Sequence, residues 1–176
     1  CDNISGDVNS DGTVNILESL RYLNNKCVGI FITSDKCYKN LDKKMQYKEE
    51  DVLAGKDPYS ASKSSAEILI KSYFETYFNS KYSNIRIASV RAGNVVGGGD
   101  WSSNRIVPDC IRSWSNDDPV IISNPNSTRP WLFILEPLSG YLHLGSQLNI
   151  NNKLNGESFN FGPKLNKNVK VKTLVN

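Results

Sequence analysis

The sequence predicts an α/β fold built on a parallel β-sheet, and three observations support this prediction. Residues 28–33 form an almost entirely apolar run, broken only by Gly29, which is typical of a strand buried on both faces. Residues 85–90 form a second strand-like run, after a long segment with helical periodicity. The resulting order of helix, strand, helix and strand is typical of parallel sheets.

Apolar stripes and a start signal indicate the two helices of this half. Residues 13–25 place apolar side chains at helical spacing, which predicts the first helix. Asp57 and Pro58 predict the start of the second helix, since aspartate is a good N-cap and proline suits the first helical position. Apolar residues then line one face of it for about five turns: Ala66, Leu69, Ile70, Tyr73, Phe74 and Tyr77.

The character of the chain changes after Arg91. A glycine loop at residues 97–99 precedes a predicted short helix at 105–115 and a predicted short strand at 120–122. A helical apolar face at 138–148 and a last strand at 158–161 complete the prediction. We therefore expect this half to form a smaller, mixed α+β region packed on the sheet.

Composition and charge narrow the classes of function. The 176 residues are 39% hydrophobic and 22% charged, which is typical of a globular chain, and the net charge of +3 is small. Apart from lysines near the C-terminus, interpreted as a solvated tail, basic residues are scattered, so we expect neither nucleic-acid nor membrane binding. No apolar run has the length of a membrane span, and no signal peptide opens the chain. Four cysteines without CxxC spacing predict reduced thiols in a cytoplasm.

Tyr59 and Lys63 stand four residues apart near the start of the second predicted helix, so they share one face. A tyrosine phenol in water ionises only at about pH 10, which makes it a poor base. A nearby ammonium favours the phenolate, so the pair suits removal of a proton from an alcohol while hydride leaves the same carbon. In isolation the spacing is more often that of two neighbouring surface side chains. The preceding buried strand, which ends at Ser34, favours the catalytic interpretation.

This order of elements resembles the short-chain dehydrogenase/reductase superfamily, and longer strings resemble one extended family within it. The strings are residues 33–38 (TSDKCY), 57–63 (DPYSASK), 91–101 (RAGNVVGGGDW), 129–131 (RPW), 135–141 (LEPLSGY) and 160–163 (NFGP). Together they are similar to the CDP-glucose 4,6-dehydratases over nearly the whole chain. The resemblance implies a partial Rossmann-type, doubly wound parallel sheet that binds NAD. Residues 1–95 would be the C-terminal half of that domain, and residues 96–176 would mostly form a substrate-binding region interleaved with the sheet.

The same resemblance implies a lyase reaction and a role for each reacting side chain. Tyr59, with Lys63, would remove the proton of the sugar's 4-hydroxyl while hydride passes from C4 to NAD, and Ser34 would hydrogen-bond that hydroxyl. Asp35 would protonate the departing 6-hydroxyl, and Lys36 would remove the C5 proton, which requires an uncharged amine. Hydride return to C6 then leaves NAD unconsumed. A solvated turn is the alternative interpretation of Asp35 and Lys36.

Four further residues are candidates for binding a nucleotide sugar. Arg105 and Arg129 suit the diphosphate, because a guanidinium matches phosphate oxygens. Asn94 and Asn160 are the candidate amide contacts by their position in the matching strings. The alternative is ordinary surface arginines and loop asparagines. The resemblance also implies a homo-oligomer, a dimer when full length, and a role in making deoxysugars for cell-surface polysaccharides.

The chain departs from the family's pattern in several places. It lacks the GxGxxG turn that would hold the NAD pyrophosphate, and residues 97–99 do not have that spacing. We therefore expect the central part of a longer protein, without that turn or the C-terminal end, and inactive alone. Leu132 and Phe133 stand where polar residues are expected. Lys36, in place of the glutamate of dTDP-glucose dehydratases, favours the CDP-sugar branch. A dTDP-, GDP- or UDP-sugar dehydratase or an epimerase is the alternative.

A prediction of another class comes from the N-terminus. Asp7, Asn9, Asp11 and Glu18, with Gly12 at the sixth place, fit the ligand spacing of an EF-hand loop and resemble a dockerin repeat. This segment would then be a calcium-binding interaction module at residues 7–18. Against it, no second loop follows, and the frequent asparagines raise the number of chance matches. The favoured prediction is a helix start without a metal site.

Overall fold

The computed structural model describes residues 6–41, 46–80, 82–163 and 169–175. Its α-helices are α1 (Gly12–Arg21), α2 (Pro58–Tyr73), α3 (Ile106–Ser115), α4 (Leu135–Ile150) and α5 (Val171–Val175). Its strands are β1 (Cys27–Ile32), β2 (Ile85–Ala92), β3 (Val95–Val96), β4 (Thr128–Arg129), β5 (Leu132–Phe133), β6 (Ser158–Phe161) and β7 (Val169–Lys170). Cys1, Lys164 and Lys167, on which the thiol and lysine-tail predictions partly rest, lie outside the described residues.

The described residues form two units. One contains those of Cys1–Ala92 and Ser139–Phe161, and the other contains those of Gly93–Leu138 and Gly162–Asn176. The first unit carries β1, β2 and β6 with α1 and α2. The second carries α3, α5 and two short ladders, in which β3 pairs with β5 in parallel and β4 pairs with β7 in antiparallel.

The sheet of the first unit is parallel, as the sequence predicted. Within the described residues its strand order is β1, β2 and β6, and both neighbouring pairs run parallel. Ile32 lies opposite Val90, and Arg91 lies opposite Asn160. Parallel strands end at the same edge of a sheet, so the residues at and after these strand ends share one edge.

The two-residue period of β2 divides its apolar side chains between two cores. Ile85 and Ile87 join the core formed with α1, α2 and the π-helical turn Phe74–Phe78: Leu17, Leu20, Ile70, Phe74 and Phe78. Ala88 and Val90 join a second core with Leu144 and Leu148 of α4. Helices therefore cover both faces of this sheet, which confirms the predicted doubly wound α/β arrangement.

Helix α2 begins where the sequence predicted. The Asp57 carboxylate accepts hydrogen bonds from the Ser60 amide at 3.0 Å and from the Ser60 hydroxyl at 2.6 Å, and Pro58 occupies the first turn. Gly55 lies so close to this start that an added Cβ would come within 2.1 Å of the backbone of Ser60 and Ala61. The cap and the glycine together fix where the first turn of α2 begins.

Two local predictions differ from the structure. Residues 120–122 form no strand, and Ile121 is 91% exposed, because no neighbouring strand pairs with this short apolar run within the described residues. Helix α1 ends at Arg21, earlier than residue 25, and Tyr22 closes its last turn through hydrogen bonds to Leu20 and Ser19. Neither difference changes the order of elements around the sheet.

The geometry of the N-terminal segment corrects the calcium-loop alternative. A π-helical turn over Asp7–Asp11 runs directly into α1, so Asn9 and its acidic neighbours lie along a helix and not around a loop. Asn9 donates to the Ser62 hydroxyl at 3.1 Å, and Glu18 forms an ion pair with Arg21 at 2.7 Å. No cluster of three or more metal-ligating side chains occurs among the described residues. The EF-hand interpretation of Asp7, Asn9, Asp11 and Glu18 is therefore wrong.

Two further features concern possible membrane-spanning helices and the cysteines. Helices long and apolar enough to cross a bilayer are absent from the described ranges. Cys27, Cys37 and Cys110 are free thiols. Burial raises the pKa of the Cys37 thiol to about 12, so this side chain stays protonated at neutral pH.

Replacing Gly156 with alanine should destabilise the first unit. Gly156 has a φ of +81°, which alanine rarely adopts, and its added Cβ would come within 2.2 Å of the Phe74 ring in the core. We expect the free energy of unfolding to fall by about 2 kcal/mol. Urea unfolding of the complete gene product measures this, with Gly162→Ala as the control, since nothing lies within 4 Å of a Cβ at Gly162. Equal midpoints for the two variants would contradict the prediction.

Candidate active site

The turn after β1 carries Ser34, Asp35 and Lys36. Ser34 is buried, and its hydroxyl caps the 3-10 helix Asp35–Cys37 by accepting a hydrogen bond from the Lys36 amide at 3.3 Å. The same hydroxyl donates to Asp35 Oδ1 at 3.3 Å. The turn is therefore an ordered, hydrogen-bonded structure at the carboxyl edge of the sheet, which weakens its interpretation as a solvated loop.

Lys36 and Tyr59, predicted for two different steps, lie beside one another. Lys36 Nζ is 5.6 Å from the centre of the Tyr59 ring, within the range of a cation–π contact. Both side chains reach the surface, and Tyr59 is 37% exposed. The Ser64 hydroxyl of α2 donates to the Cys37 carbonyl at 2.7 Å, which fastens the turn to the helix. One ligand can therefore contact the amine and the phenol together.

Lys63 lies one turn after Tyr59 on α2 and is half-buried. Burial lowers the pKa of the Lys63 ammonium, because a charge is less stable away from water. The negative charge of Glu67, one turn further along the helix, opposes this shift. Tyr59 and Lys63 thus share the helix face that their spacing predicted. The negative charge of Glu67, further along that face, favours the charged form of Lys63.

Glu67 and Arg91 form a buried ion pair below these residues. Glu67 is 3% exposed and Arg91 is 3% exposed, and Arg91 Nη2 lies 2.7 Å from Glu67 Oε2. Burial raises the pKa of the Glu67 carboxyl, but the hydrogen bonds and charge of Arg91 outweigh burial and leave that pKa below its usual value. Burial lowers the pKa of Arg91, and Glu67 raises it beyond its usual value. Both groups are therefore charged in the fold.

Strand periodicity explains why this pair meets. Ser89 and Arg91 continue the row of Ile85 and Ile87 on β2, so they point to the same face as α2. There the Glu67 carboxylate also accepts hydrogen bonds from the Thr33 hydroxyl and, at 2.8 Å, from the Ser89 hydroxyl. The apolar core thus gives way to a polar cluster at the carboxyl edge of the sheet.

Asn160 joins the cluster through Tyr38. Arg91 Nη1 donates to the Tyr38 hydroxyl at 2.6 Å, and this hydroxyl donates to Asn160 Oδ1 at 2.7 Å. Asn160 Nδ2 donates to the Tyr47 carbonyl at 3.1 Å. The amide therefore has protein partners for both its oxygen and its nitrogen.

The other candidate substrate contacts belong to the second unit. Asn94 is half-buried, and its carbonyl accepts a hydrogen bond from the Leu132 amide at 2.9 Å. Arg105 is exposed immediately before α3, and Arg129 is exposed in β4 opposite Val169. The structure thus brings Ser34, Asp35, Lys36, Tyr59, Lys63 and Asn160 into the first unit and Asn94, Arg105 and Arg129 into the second.

The first unit fits one end of NAD. Tyr59 presents a phenol and Lys63 an ammonium one turn apart, with exposed Ala61 between them leaving room for a ligand on that face. These are groups that can hold a nicotinamide ribose. In the described part of the chain, the glycines at 97–99 lead into an irregular segment before α3, so they do not form a pyrophosphate turn between a strand and a helix. Tyr59 and Lys63 would therefore hold the nicotinamide end.

The sequence analysis missed Glu67, Arg91, Tyr38 and Thr33 as members of the site. Glu67 interrupts the apolar face of the predicted second helix, between Ala66 and Ile70, one turn after Lys63. Arg91 lies near the carboxyl end of its strand, on the same face as Ile85 and Ile87. A single acidic residue on a buried helix face and a single basic residue at a buried strand end are a signal for an ion pair, because neither charge is stable there alone.

Comparison with known proteins agrees with this fold. Residues 3–162 match the model of the NAD dependent epimerase/dehydratase family. The chain is 44% identical over 156 residues to CDP-glucose 4,6-dehydratase of Salmonella typhimurium, an alignment that covers 87% of this chain and 44% of that protein.

Two solved structures show the same fold at low identity. A dTDP-glucose 4,6-dehydratase from Bacillus anthracis, in complex with NAD, has a TM-score of 0.76 at 24% identity over 96% of this chain and 50% of its own. A UDP-N-acetylglucosamine 4-epimerase from Methanobrevibacter ruminantium has a TM-score of 0.77 at 23% identity over 97% of this chain and 51% of its own. The chain thus spans about half the length of these relatives. The family model matches residues 3–162 and the parallel sheet is Rossmann-like, so the chain belongs to the NAD dependent epimerase/dehydratase family.

Proposed function

We propose that this chain supplies the reacting side chains of an NAD-dependent nucleotide-sugar 4,6-dehydratase that converts CDP-glucose to CDP-4-keto-6-deoxyglucose and water. The observation that carries the proposal is the position of Lys36 Nζ, 5.6 Å from the Tyr59 ring centre. A dehydratase needs an elimination base beside its redox tyrosine, because C4 and C5 of the sugar are adjacent. The 44% identity to a CDP-glucose 4,6-dehydratase supports the choice of reaction and of nucleotide.

The proposed reaction begins at the sugar's 4-hydroxyl. The Tyr59 phenolate takes the proton of this hydroxyl, and the half-buried Lys63 cation stabilises the phenolate. In this proposal the Ser34 hydroxyl hydrogen-bonds the same oxygen. NAD, when bound, would supply the hydride acceptor for C4 and, once reduced, the hydride donor for C6. The product of this step is a 4-keto sugar whose C5 proton is acidified.

Elimination of water then uses the turn after β1. Lys36, as the free amine, removes the C5 proton and becomes an ammonium. Asp35, as the acid, gives its proton to the 6-hydroxyl, so that the C6–O bond breaks and water departs. Tyr59 is left as a phenol with the proton taken in the first step, and it returns that proton to C5 when C6 receives the hydride. Lys36 and Asp35 exchange one proton through solvent, and the site is restored.

The proposed setting follows from the proposed reaction. A nucleotide sugar is a cytoplasmic metabolite, so we propose a cytoplasmic enzyme that prepares deoxysugars for surface polysaccharides. We further propose that the enzyme is a homodimer. Light scattering on the complete gene product measures its mass, and a monomer at working concentration would contradict this part of the proposal.

Incubation with four different nucleotide sugars tests the proposed reaction directly. Incubating the complete gene product and NAD with CDP-, dTDP-, UDP- and GDP-glucose should give a 4-keto-6-deoxy product, detected by its alkaline absorbance, from CDP-glucose foremost. Preference for another nucleotide would overturn only the CDP assignment. Formation of a 4-epimer without loss of water would establish an epimerase instead.

Replacing Lys36 with alanine should separate oxidation from elimination. Without the C5 base, dehydration should slow by about a hundredfold or more. Oxidation at C4 should persist, so reduced nicotinamide should accumulate on the enzyme and be seen by its near-ultraviolet absorbance. Lys39→Ala is the matched control, since Lys39 is an exposed lysine three positions further along the same loop. Undiminished dehydration in Lys36→Ala would refute the role of Lys36 as the base.

Replacing Tyr59 with phenylalanine should remove the first step itself. The ring and its packing are kept while the proton acceptor is lost, so C4 oxidation should slow by about a hundredfold or more. Single-turnover reduction of the bound nicotinamide measures this rate. Tyr22→Phe serves as the control, because Tyr22 is 78% exposed at the end of α1. A normal rate of C4 oxidation in Tyr59→Phe would remove Tyr59 from the mechanism.

A further inference from the structure

One carboxylate on α2, the helix that carries Tyr59 and Lys63, accepts hydrogen bonds from β2, from β6 and from the residue that follows β1. Glu67 lies one turn after Lys63, and its oxygens accept from Thr33 after β1, from Ser89 and Arg91 in β2, and from Ser158 in β6. Burying a carboxylate is costly unless each lone pair finds a donor. These four donors explain how Glu67 is tolerated at 3% exposure.

The hydrogen bonds to Glu67 restrain the position of α2 in a way that apolar packing at the same site would not. An apolar side chain at position 67 could pack against the sheet at many small displacements of α2 along the strands. A carboxylate with four directed donors has one arrangement that satisfies them together. We therefore expect the hydrogen bonds of Glu67 to fix the position of α2 relative to the carboxyl ends of the strands. The positions of Tyr59 and Lys63 on α2 are then fixed as well.

Two donors also lead directly to groups of the candidate site. Thr33 precedes Ser34, so the bond from its hydroxyl to Glu67 ties the start of the catalytic turn to α2. The backbone of Thr33 is held in turn by the Val90 carbonyl at 2.9 Å. On the other side, Arg91 binds Tyr38, which is bonded to Asn160. The carboxylate thus links the helix of Tyr59 to the turn of Ser34 and to the strand of Asn160.

We propose that Glu67 is a positioning residue for the redox step: its buried carboxylate holds α2 at one height above the strand ends, so that Tyr59 and Ser34 meet the same substrate hydroxyl. This inference rests on the proposed function. Glu67 touches neither substrate nor cofactor and acts through Thr33 and Arg91. Displacements of about 1 Å in such a site can slow a reaction by about a hundredfold.

The test uses Glu67→Gln in the complete gene product, with single-turnover C4 oxidation as the readout. We expect the rate to fall about 10- to 100-fold while KM for the nucleotide sugar stays within about threefold, because the neutral amide loses the ion pair but no substrate contact. Leu20→Ala is the matched control: it should weaken the same core from α1 without touching the cluster, and should keep the wild-type rate. An equal loss of rate in Leu20→Ala would reduce the role of Glu67 to stability and overturn the proposal.

A second comparison separates positioning from general damage. If Glu67 acts by positioning Tyr59, Glu67→Gln should lower the rate of C4 oxidation very little when Tyr59 is already phenylalanine. The effects of the two substitutions on this rate should then be less than additive. Full additivity would overturn the proposal. Should Glu67→Gln fail to fold, the double variant Glu67→Gln with Arg91→Met removes both buried charges, and it should fold and show the same slow oxidation.

Failure of the inference differs from failure of the proposed function. A wild-type protein that oxidises no nucleotide sugar would contradict the proposed function and the inference with it. A wild-type protein that oxidises CDP-glucose, together with an equally fast Glu67→Gln variant, would contradict the inference alone.

Discussion

The buried ion pair between Glu67 and Arg91 is the interaction on which the arrangement of the candidate site depends. It joins α2, which carries Tyr59 and Lys63, to the strand at the centre of the sheet. Removing one partner of such a pair costs about 3–5 kcal/mol, because the other charge is left buried and unpaired. The hydroxyls of Thr33 and Ser89 also donate to the Glu67 carboxylate. A pair of this kind adds little net stability over apolar packing, and the proposed contribution of this one is to hold α2 in a single position.

Apolar packing and directed hydrogen bonds act in different parts of the sheet around this pair. Further from the strand ends, apolar side chains of β2 alternate between two cores and hold helices on both faces of the sheet. At the carboxyl edge the same alternation continues with Ser89 and Arg91, and the burial of apolar surface gives way to directed hydrogen bonds. The reacting groups follow at that edge, where Lys36 lies beside the Tyr59 ring. Non-directional burial supports the sheet, and directional bonds orient the site on it.

Local signals were enough to predict α2, β1 and β2, because a cap, a helical stripe and two apolar runs each act over a few residues. The pairing of Glu67 was not predictable in this way, since its donors lie 24 positions away at Arg91 and 91 positions away at Ser158. Residues 120–122 show the opposite failure, where a strand-like run has no described partner strand. The EF-hand spacing failed because ligand order along a sequence does not determine whether the backbone forms a loop or a helix. The roles of all the candidate site residues stay predictions: Ser34, Asp35, Lys36, Tyr59, Lys63, Asn94, Arg105, Arg129 and Asn160.

The central claim is that one hydride leaves C4 and returns to C6 of the same sugar while Tyr59 and Lys36 move the protons. CDP-glucose labelled with deuterium at C4 tests this most directly, with the complete gene product and NAD and with mass spectrometry and NMR of the product. The account predicts a 4-keto-6-deoxy product that carries the deuterium in its C6 methyl group. Deuterium lost to solvent, or retained at C4 in an epimerised sugar, would contradict it.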